Sequence, residues 1–482
     1  MRLKPAPTNR FDRRLLAPMM LGAVLNPINT AIIAVALTPI GIALGAPASE
    51  TVWLVSGLYL ATSVGQPLVG RLVDIFGVRT IFLIGGLLVA ASGAIGFLAP
   101  ESHDSVWWLV AARVILGLGT CAGYPAAMHM IRAEAERTGL SSPAAILTTL
   151  SVTTQTVSVV GPTVGGLLVG GWGWRATIGV NLPLGVASVI LGLIFFPKRT
   201  GLEPPKDQHP HIDWLGIVFF TVSMLALLVF LQNISPALIW MPVVAVIVGA
   251  ALVWWELRAK DPFIDVRVLA GNKGLLLTYL RGLLTAVITY TFVYGFTQWL
   301  EDGRGLHPAA AGLVLLPVFA AGIVFSVAFG RSPEVTWKLK LGSTAQLVAG
   351  VLVLFMGAGT PMWILIIAMV VLGIPQGLNN LAIQNTLYAQ ADPERIASSA
   401  GLLRTCMYIG GITASVIYGN VYGDRASTQG LHVLGWVVVG IAVVFLAITV
   451  SDRSLRSVGK VVPPDIEEAR SERDRSESAQ GR

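Results

Sequence analysis

The placement of charge constrains this chain more than any other feature. All 26 Asp and Glu read as loop or tail residues, whereas Arg113, Arg281 and Arg404 fall inside apolar stretches of helical length. A bilayer core of roughly 30 Å needs about 20 apolar residues for each helical crossing. Such stretches recur from residue 15 to residue 450. Apolar residues make up 54% of the chain and charged residues 12%, so lipid is the solvent for most of it. The fold class is therefore all-α integral membrane, because a helix satisfies its own backbone where water is absent.

Fourteen transmembrane helices are expected, grouped by the polar segments between them. A tail over 1–14 precedes six helices in 15–196, linkers and two additional helices occupy 197–273, six more helices fill 274–450, and a tail covers 451–482. Two six-helix bundles around two additional central helices suggest duplicated halves, the repeat logic of many secondary transporters. Gly70-Arg71 and Gly330-Arg331 begin corresponding loops and give a weak echo of that repeat. The tail from about Ser451 is polar and mixed in charge, which predicts a disordered, solvated segment. With the N-terminus inside, 27 of the 33 Lys and Arg fall on the inner side, which predicts a multi-pass protein of the cell (inner) membrane with both termini cytoplasmic. The same bias, with attraction to anionic lipid, accounts for the net +7, so nucleic acid is not an expected partner. The first apolar stretch is too long for a signal-peptide core and should stay uncleaved. Cys121 and Cys406 have no metal or disulfide spacing and read as packing residues.

Local motifs sharpen this picture. The run Gly70-Arg71-Leu72-Val73-Asp74-Ile75-Phe76-Gly77-Val78-Arg79 is similar to the loop signature of the major facilitator superfamily. Arg113-Val114-Ile115-Leu116-Gly117-Leu118-Gly119 resembles that family's fourth-helix motif, and Gly161-Pro162-Thr163-Val164-Gly165-Gly166 its fifth-helix antiporter motif. Gly171-Trp172-Gly173-Trp174-Arg175, Asn181-Leu182-Pro183-Leu184-Gly185 and Gln298-Trp299-Leu300 with Gly312 and Pro317 resemble the fourteen-helix drug:proton antiporter (multidrug efflux) branch. The resemblance covers about residues 15 to 450 and implies the major facilitator fold. It further implies proton-coupled efflux of small amphipathic compounds by alternating access, with no enzymatic activity and no cofactor.

Two departures qualify that expectation. Ile75 stands where the family's loop usually has a basic residue, and Asn29 stands where the antiporter branch commonly has Asp. An amide cannot carry a proton, so coupling is expected to use Asp74, His129 or a helix-end acid such as Asp302. The resemblance assigns gating roles to Gly70, Asp74, Gly77, Arg79, Gly161, Pro162, Gly165 and Gly166. Glycines four apart, Gly161 with Gly165 and Gly166 with Gly170, should let helix backbones approach closely. Asp74 is expected to pair with Arg71 or Arg79, or to cap a neighbouring helix.

The central path is expected to be lined by Asn26, Asn29, Arg113, Gln155, Arg281, Tyr290, Tyr294, Asn379 and Arg404. Without a carboxylate in any span, the three intramembrane arginines are expected to find carbonyls, amides, water or an anionic ligand. An anionic metabolite or lipid-like substrate is thus the alternative to a drug. No phosphate-cradling GxxxxGK[ST] loop occurs in the chain, which argues against an ATP-driven pump, and no nucleotide is expected. The expected partners are a small-molecule substrate, the lipid bilayer and protons, with the chain acting as a monomer.

Overall fold

The computed structural model describes residues 11–458, apart from 52, 140–142, 203–211, 233, 307, 331, 333, 424 and 457. It is helical throughout. In chain order the helices are α1 (Leu16–Leu44), α2 (Trp53–Phe76), α3 (Val78–Phe97), α4 (Ser105–Thr120), α5 (Gly123–Thr138), α6 (Ala144–Trp172) and α7 (Asn181–Phe195). Then follow α8 (Trp214–Gln232), α9 (Trp240–Glu256), α10 (Lys273–Tyr290), α11 (Pro308–Phe329), α12 (Thr336–Leu354), α13 (Met362–Gln390), α14 (Ile396–Tyr422) and α15 (Thr428–Ser451). Helices α4 and α5 form one rod with a turn at Cys121-Ala122, and α10 continues as π-helical turns over Thr291–Phe296 and Trp299–Gly303.

Among the described residues, twelve helical stretches are long and apolar enough to cross a membrane. Helices α2 and α12 are of similar length but fall outside that set. Each carries charge toward one end: Arg71 and Asp74 on α2, Lys338 and Lys340 on α12. Surface chemistry agrees with a lipid solvent. Helix α9 leaves Val243, Val246 and Ile247 exposed, as a helix facing hydrocarbon should.

Helices α1 to α7 pack mainly with one another, as do α10 to α15, while α8 and α9 pair together. The two large groups meet through α2 and α5 against α14, and through α6 against α11 and α13. The apolar cores report how they meet. At the end carrying Asp74, one cluster draws Val73, Phe82 and Ile131 from the first group together with Leu339, Leu387 and Leu403 from the last. At the opposite end the cores are separate: Ile33, Leu54 and Trp174 belong to one, Phe292, Leu365 and Leu431 to another. The groups are closed on each other at the Asp74 end and parted at the other.

Several sequence expectations are corrected here. Not every acid lies in a loop or tail, since Asp74, Glu134 and Glu256 sit on helices and are buried. The second helix runs to Phe76, so the motif read as a loop is its last two turns. Gly77, with φ +85°, makes the break before α3. That backbone region is open to glycine at little cost. The C-terminal tail does not begin at Ser451. Residues Arg453–Arg456 form a short helical turn, Leu455 is fully buried, and Thr336 donates to the Leu455 carbonyl at 3.1 Å. The rest of the tail from 459, residues 1–10, most of the linker over 203–211, and Arg331 lie outside the described residues.

Candidate functional site

Helix α2 meets the start of α14 at the closed end because both are stripped of side chains there. A Cβ on Gly70 would lie 2.5 Å from the Ala397 carbonyl oxygen, and one on Gly401 would strike the Gln66 carbonyl. Backbone-to-backbone contact brings Asp74 to the N-terminus of α14, where unpaired amides point outward. Its carboxylate accepts from the Ala397 N–H at 3.1 Å, the Ser398 N–H at 2.8 Å and the Ser398 hydroxyl at 2.5 Å. The acid thus caps a helix of the other group, complementing its dipole. His129 of α5 completes the cluster, its Nδ1 3.3 Å from Asp74 Oδ1 and its Nε2 3.0 Å from the Thr200 hydroxyl. Two of the three proton candidates are therefore in contact and buried. The third, Asp302, lies at the opposite end, accepting from the Ala426 N–H at 3.2 Å. Arg79 does not pair with Asp74; it donates to the Leu193 carbonyl at 2.9 Å.

Between the groups, toward the parted end, the structure collects tyrosines. Tyr290 and Tyr294 stack with ring centroids 5.7 Å apart and planes at 6°, as their spacing of one turn on α10 permits. Tyr418 of α14 lies 6.5 Å from Tyr294, and Tyr59 of α2 lies 5.9 Å from Tyr408 of α14. The Tyr59–Tyr408 contact crosses between the two groups. Arg404 lays its guanidinium 3.9 Å from the Tyr124 ring centroid, a cation–π contact, within electrostatic reach of Tyr290 and Tyr408. Asn26 joins from α1, donating to Thr120 at 3.2 Å and accepting from the Tyr408 hydroxyl at 2.9 Å. Gln155 bridges the groups elsewhere, donating to Ser326 of α11 at 3.1 Å. Six of the nine tyrosines of the chain thus take part in these contacts, and the one that the Arg404 guanidinium touches, Tyr124, belongs to the shared core at the Asp74 end. Such a wall offers π-faces, hydroxyl groups and one cation.

Other predicted lining residues are placed differently. Asn29 is 1% exposed and tied to Asn181 at 2.6 Å and to the Leu25 carbonyl at 2.8 Å, so it fastens α1 to α7. Arg113 is buried within the first group and donates to the Leu54 carbonyl at 2.9 Å. Asn379 is buried against Gly342 of α12. Arg281 has the carboxylate it was not expected to find. It pairs with Asp452 at 2.6 Å, with side chains 1% and 5% exposed, and donates to the Ile448 carbonyl. That pair belongs to the end of the last group and stands apart from the tyrosines. Burial opposes the charge on Asp452, yet hydrogen bonds from Ser454 and Arg281 outweigh it and hold the carboxyl below the ordinary Asp value.

The antiporter-type glycines divide as well. Gly161 and Gly165 pack α6 on Ala31 and Ile32 of α1, whereas Gly166 and Gly170 meet nothing within 4 Å, so only the first pair serves close approach. Pro162 lies inside α6 on its exposed side. Sequence reading missed Tyr59, Tyr124, Tyr408 and Tyr418, which lie on three helices distant in the chain. The only available signal was that polar aromatics are costly in lipid unless the hydroxyl finds a partner.

The comparisons with known proteins agree on one family. The model of the Major Facilitator Superfamily matches residues 19–415. An uncharacterized MFS-type transporter of Bacillus subtilis, YwoD, is 32% identical over 437 residues, covering 88% of this chain and 93% of the relative. The tetracenomycin C resistance and export protein of Streptomyces glaucescens is 26% identical, covering 85% and 76%. Among solved structures, the human organic anion transporter MFSD10 (TETRAN) superposes with a TM-score of 0.64 at 15% identity, covering 92% of this chain and all of that one, which is a likeness of fold.

Proposed function

This chain belongs to the Major Facilitator Superfamily, and on that premise we propose that it is a secondary transporter exporting small amphipathic, ring-bearing compounds by alternating access. The halves are 15–196 and 274–450, with α2 and α12 completing fourteen crossings. The basic Asp74 end faces the cytoplasm, as the Lys and Arg bias requires. One observation carries the reading: tyrosines of both groups, Tyr59, Tyr290, Tyr294, Tyr408 and Tyr418, gather between groups that are closed at one end and parted at the other, with Arg404 stacked on Tyr124 beside them. Stacked rings accept planar apolar substrates without demanding one shape, and a relative named for tetracenomycin C resistance and export supports the direction. Proton exchange is assigned to the Asp74–His129 pair, because the same carboxylate forms the helix cap that closes the gate.

A second reading, an anionic substrate, is favoured by Arg404, whose guanidinium faces an aromatic ring and not a carboxylate. Transport into everted vesicles under an imposed pH gradient separates the two when a lipophilic cation is compared with an anionic amphiphile. Cation uptake that collapses with the gradient supports proton-coupled drug export. Uptake of the anion alone, lost in Arg404→Gln, supports the second reading, and movement of neither compound sinks both.

A further inference from the structure

The segment after α9 lies where both halves of the closed gate can be reached. Helix α8 packs on α2 and on α14, one helix from each group. The turn that follows α9 is fixed by two carboxylates: the Phe263 N–H lies 3.4 Å from Asp213 Oδ2, and the Ile264 N–H donates to Glu256 Oε1 at 3.2 Å. Asp213 also accepts from the Trp255 indole at 2.8 Å. Phe263, buried, meets the Phe220 ring at 5.5 Å in an apolar cluster with Ile217 that Leu68 of α2 closes. So anchored, the turn delivers Asp265 to Arg395, at 3.8 Å, immediately before α14.

Arg395 is not the only cation there. Arg71 of α2 lies within electrostatic reach of Arg395, Asp74, Asp261 and Asp265. Pro67, one turn before Arg71 on α2, lines one pocket with Asp265 and Arg395, and α2 touches the turn Pro393–Arg395, so two guanidiniums, one from each group, share the closed end. Like charges so placed repel unless an anion stands between them.

We infer that Asp265 is a positioning residue for the gate: one carboxylate, held by the additional helices, that neutralises Arg71 of the first half and Arg395 of the second so that they can face each other when the Asp74 end is shut. The additional helices then act as a strap across the gate, a role that rests on the alternating-access reading. In this arrangement the strap contributes nothing to substrate contact. It sets how often the gate opens.

Hydrogen exchange on the full chain in lipid nanodiscs, without substrate, tests this. Asp265→Asn should speed exchange several-fold in peptides covering 126–131 and 396–403, where the halves share a core, and Asp265→Glu should restore protection. Adding Arg71→Gln to Asp265→Asn should also restore it, because one like charge is then gone; a purely structural role for Asp265 would not give that rescue. Exposed Asp261 is the control, and Asp261→Asn should have the smaller effect. Unchanged exchange in Asp265→Asn, failure of the Arg71→Gln rescue, or an equal effect from Asp261→Asn overturns the inference. The readout needs no transport, so it stands or falls separately from the substrate assignment.

Discussion

The two ends of this molecule are built from the same helices and held by different chemistry. At the Asp74 end, glycines bring α2 against α14, a carboxylate caps the facing helix, and one apolar core serves both halves. At the other end each half keeps its own core, and between the ends the halves touch through the Tyr59–Tyr408 ring contact and the hydrogen bond from the Tyr408 hydroxyl to Asn26. In lipid, burying apolar surface gives no drive for helices to associate, so close packing and polar bonds decide which end is shut. The closed end is the one rich in both.

Substitutions can break or sharpen that contrast. The largest effect is expected from Arg281→Gln, which leaves Asp452 buried and should cost about 3 kcal/mol of last-half stability while sparing the tyrosine cluster. Thermal unfolding in detergent alongside ligand binding would show whether stability falls and affinity does not. The same pair predicts an acid dependence. A carboxyl held below its ordinary value stabilises the fold above that value, about 3.9, and the contribution is lost as pH falls through the lowered one. Wild-type stability from this pair should therefore be level from pH 8 to 5 and decline only in stronger acid, with the decline reduced in Arg281→Gln.

Next comes Asp74→Ala, which leaves two amides and a hydroxyl of α14 without their acceptor at a cost of roughly 2–3 kcal/mol to the closed end. Distance measurements between spin labels on the two halves should shift toward an open Asp74 end. Gly70→Ala attacks the same end through volume, forcing α2 off the Ala397 carbonyl for about 1–3 kcal/mol. Gly166→Ala, with nothing within 4 Å to meet, should change neither stability nor transport. Tyr408→Phe is the mildest of the bridging changes. It removes the hydroxyl bond to Asn26, worth about 0.6 kcal/mol, and should loosen only the contact of α14 with α1, seen as faster alkylation of a cysteine placed there.

How much of this could be read from residues alone follows the range of each interaction. The helices were legible because hydropathy is local, and the family because its motifs are short and contiguous. Asp74 as a helix cap was among the expected roles, since an acid near a helix end has few uses. The partner of Arg281 was hidden, because Asp452 lies 171 residues away in a stretch whose composition predicts a tail. Asn29 and Gly166 were misread for a related reason: an amide or a glycine fits a substrate path and a helix contact equally well until the facing helix is known. Of the tyrosine cluster, Tyr290 and Tyr294 were legible as neighbours on one helix, whereas Tyr59, Tyr124, Tyr408 and Tyr418 were missed because they are scattered over α2, α5 and α14.

The cap on α14 is lopsided in a way that bears on genetics. Asp74 contributes a side chain, but Ala397 and one of the two groups it meets on Ser398 contribute main-chain N–H. Main-chain donors survive almost any codon change. A selection for leaky gates should accordingly return many alleles at codon 74, while at codon 397, and for the main-chain donor of codon 398, the allele that deletes the donor outright is proline.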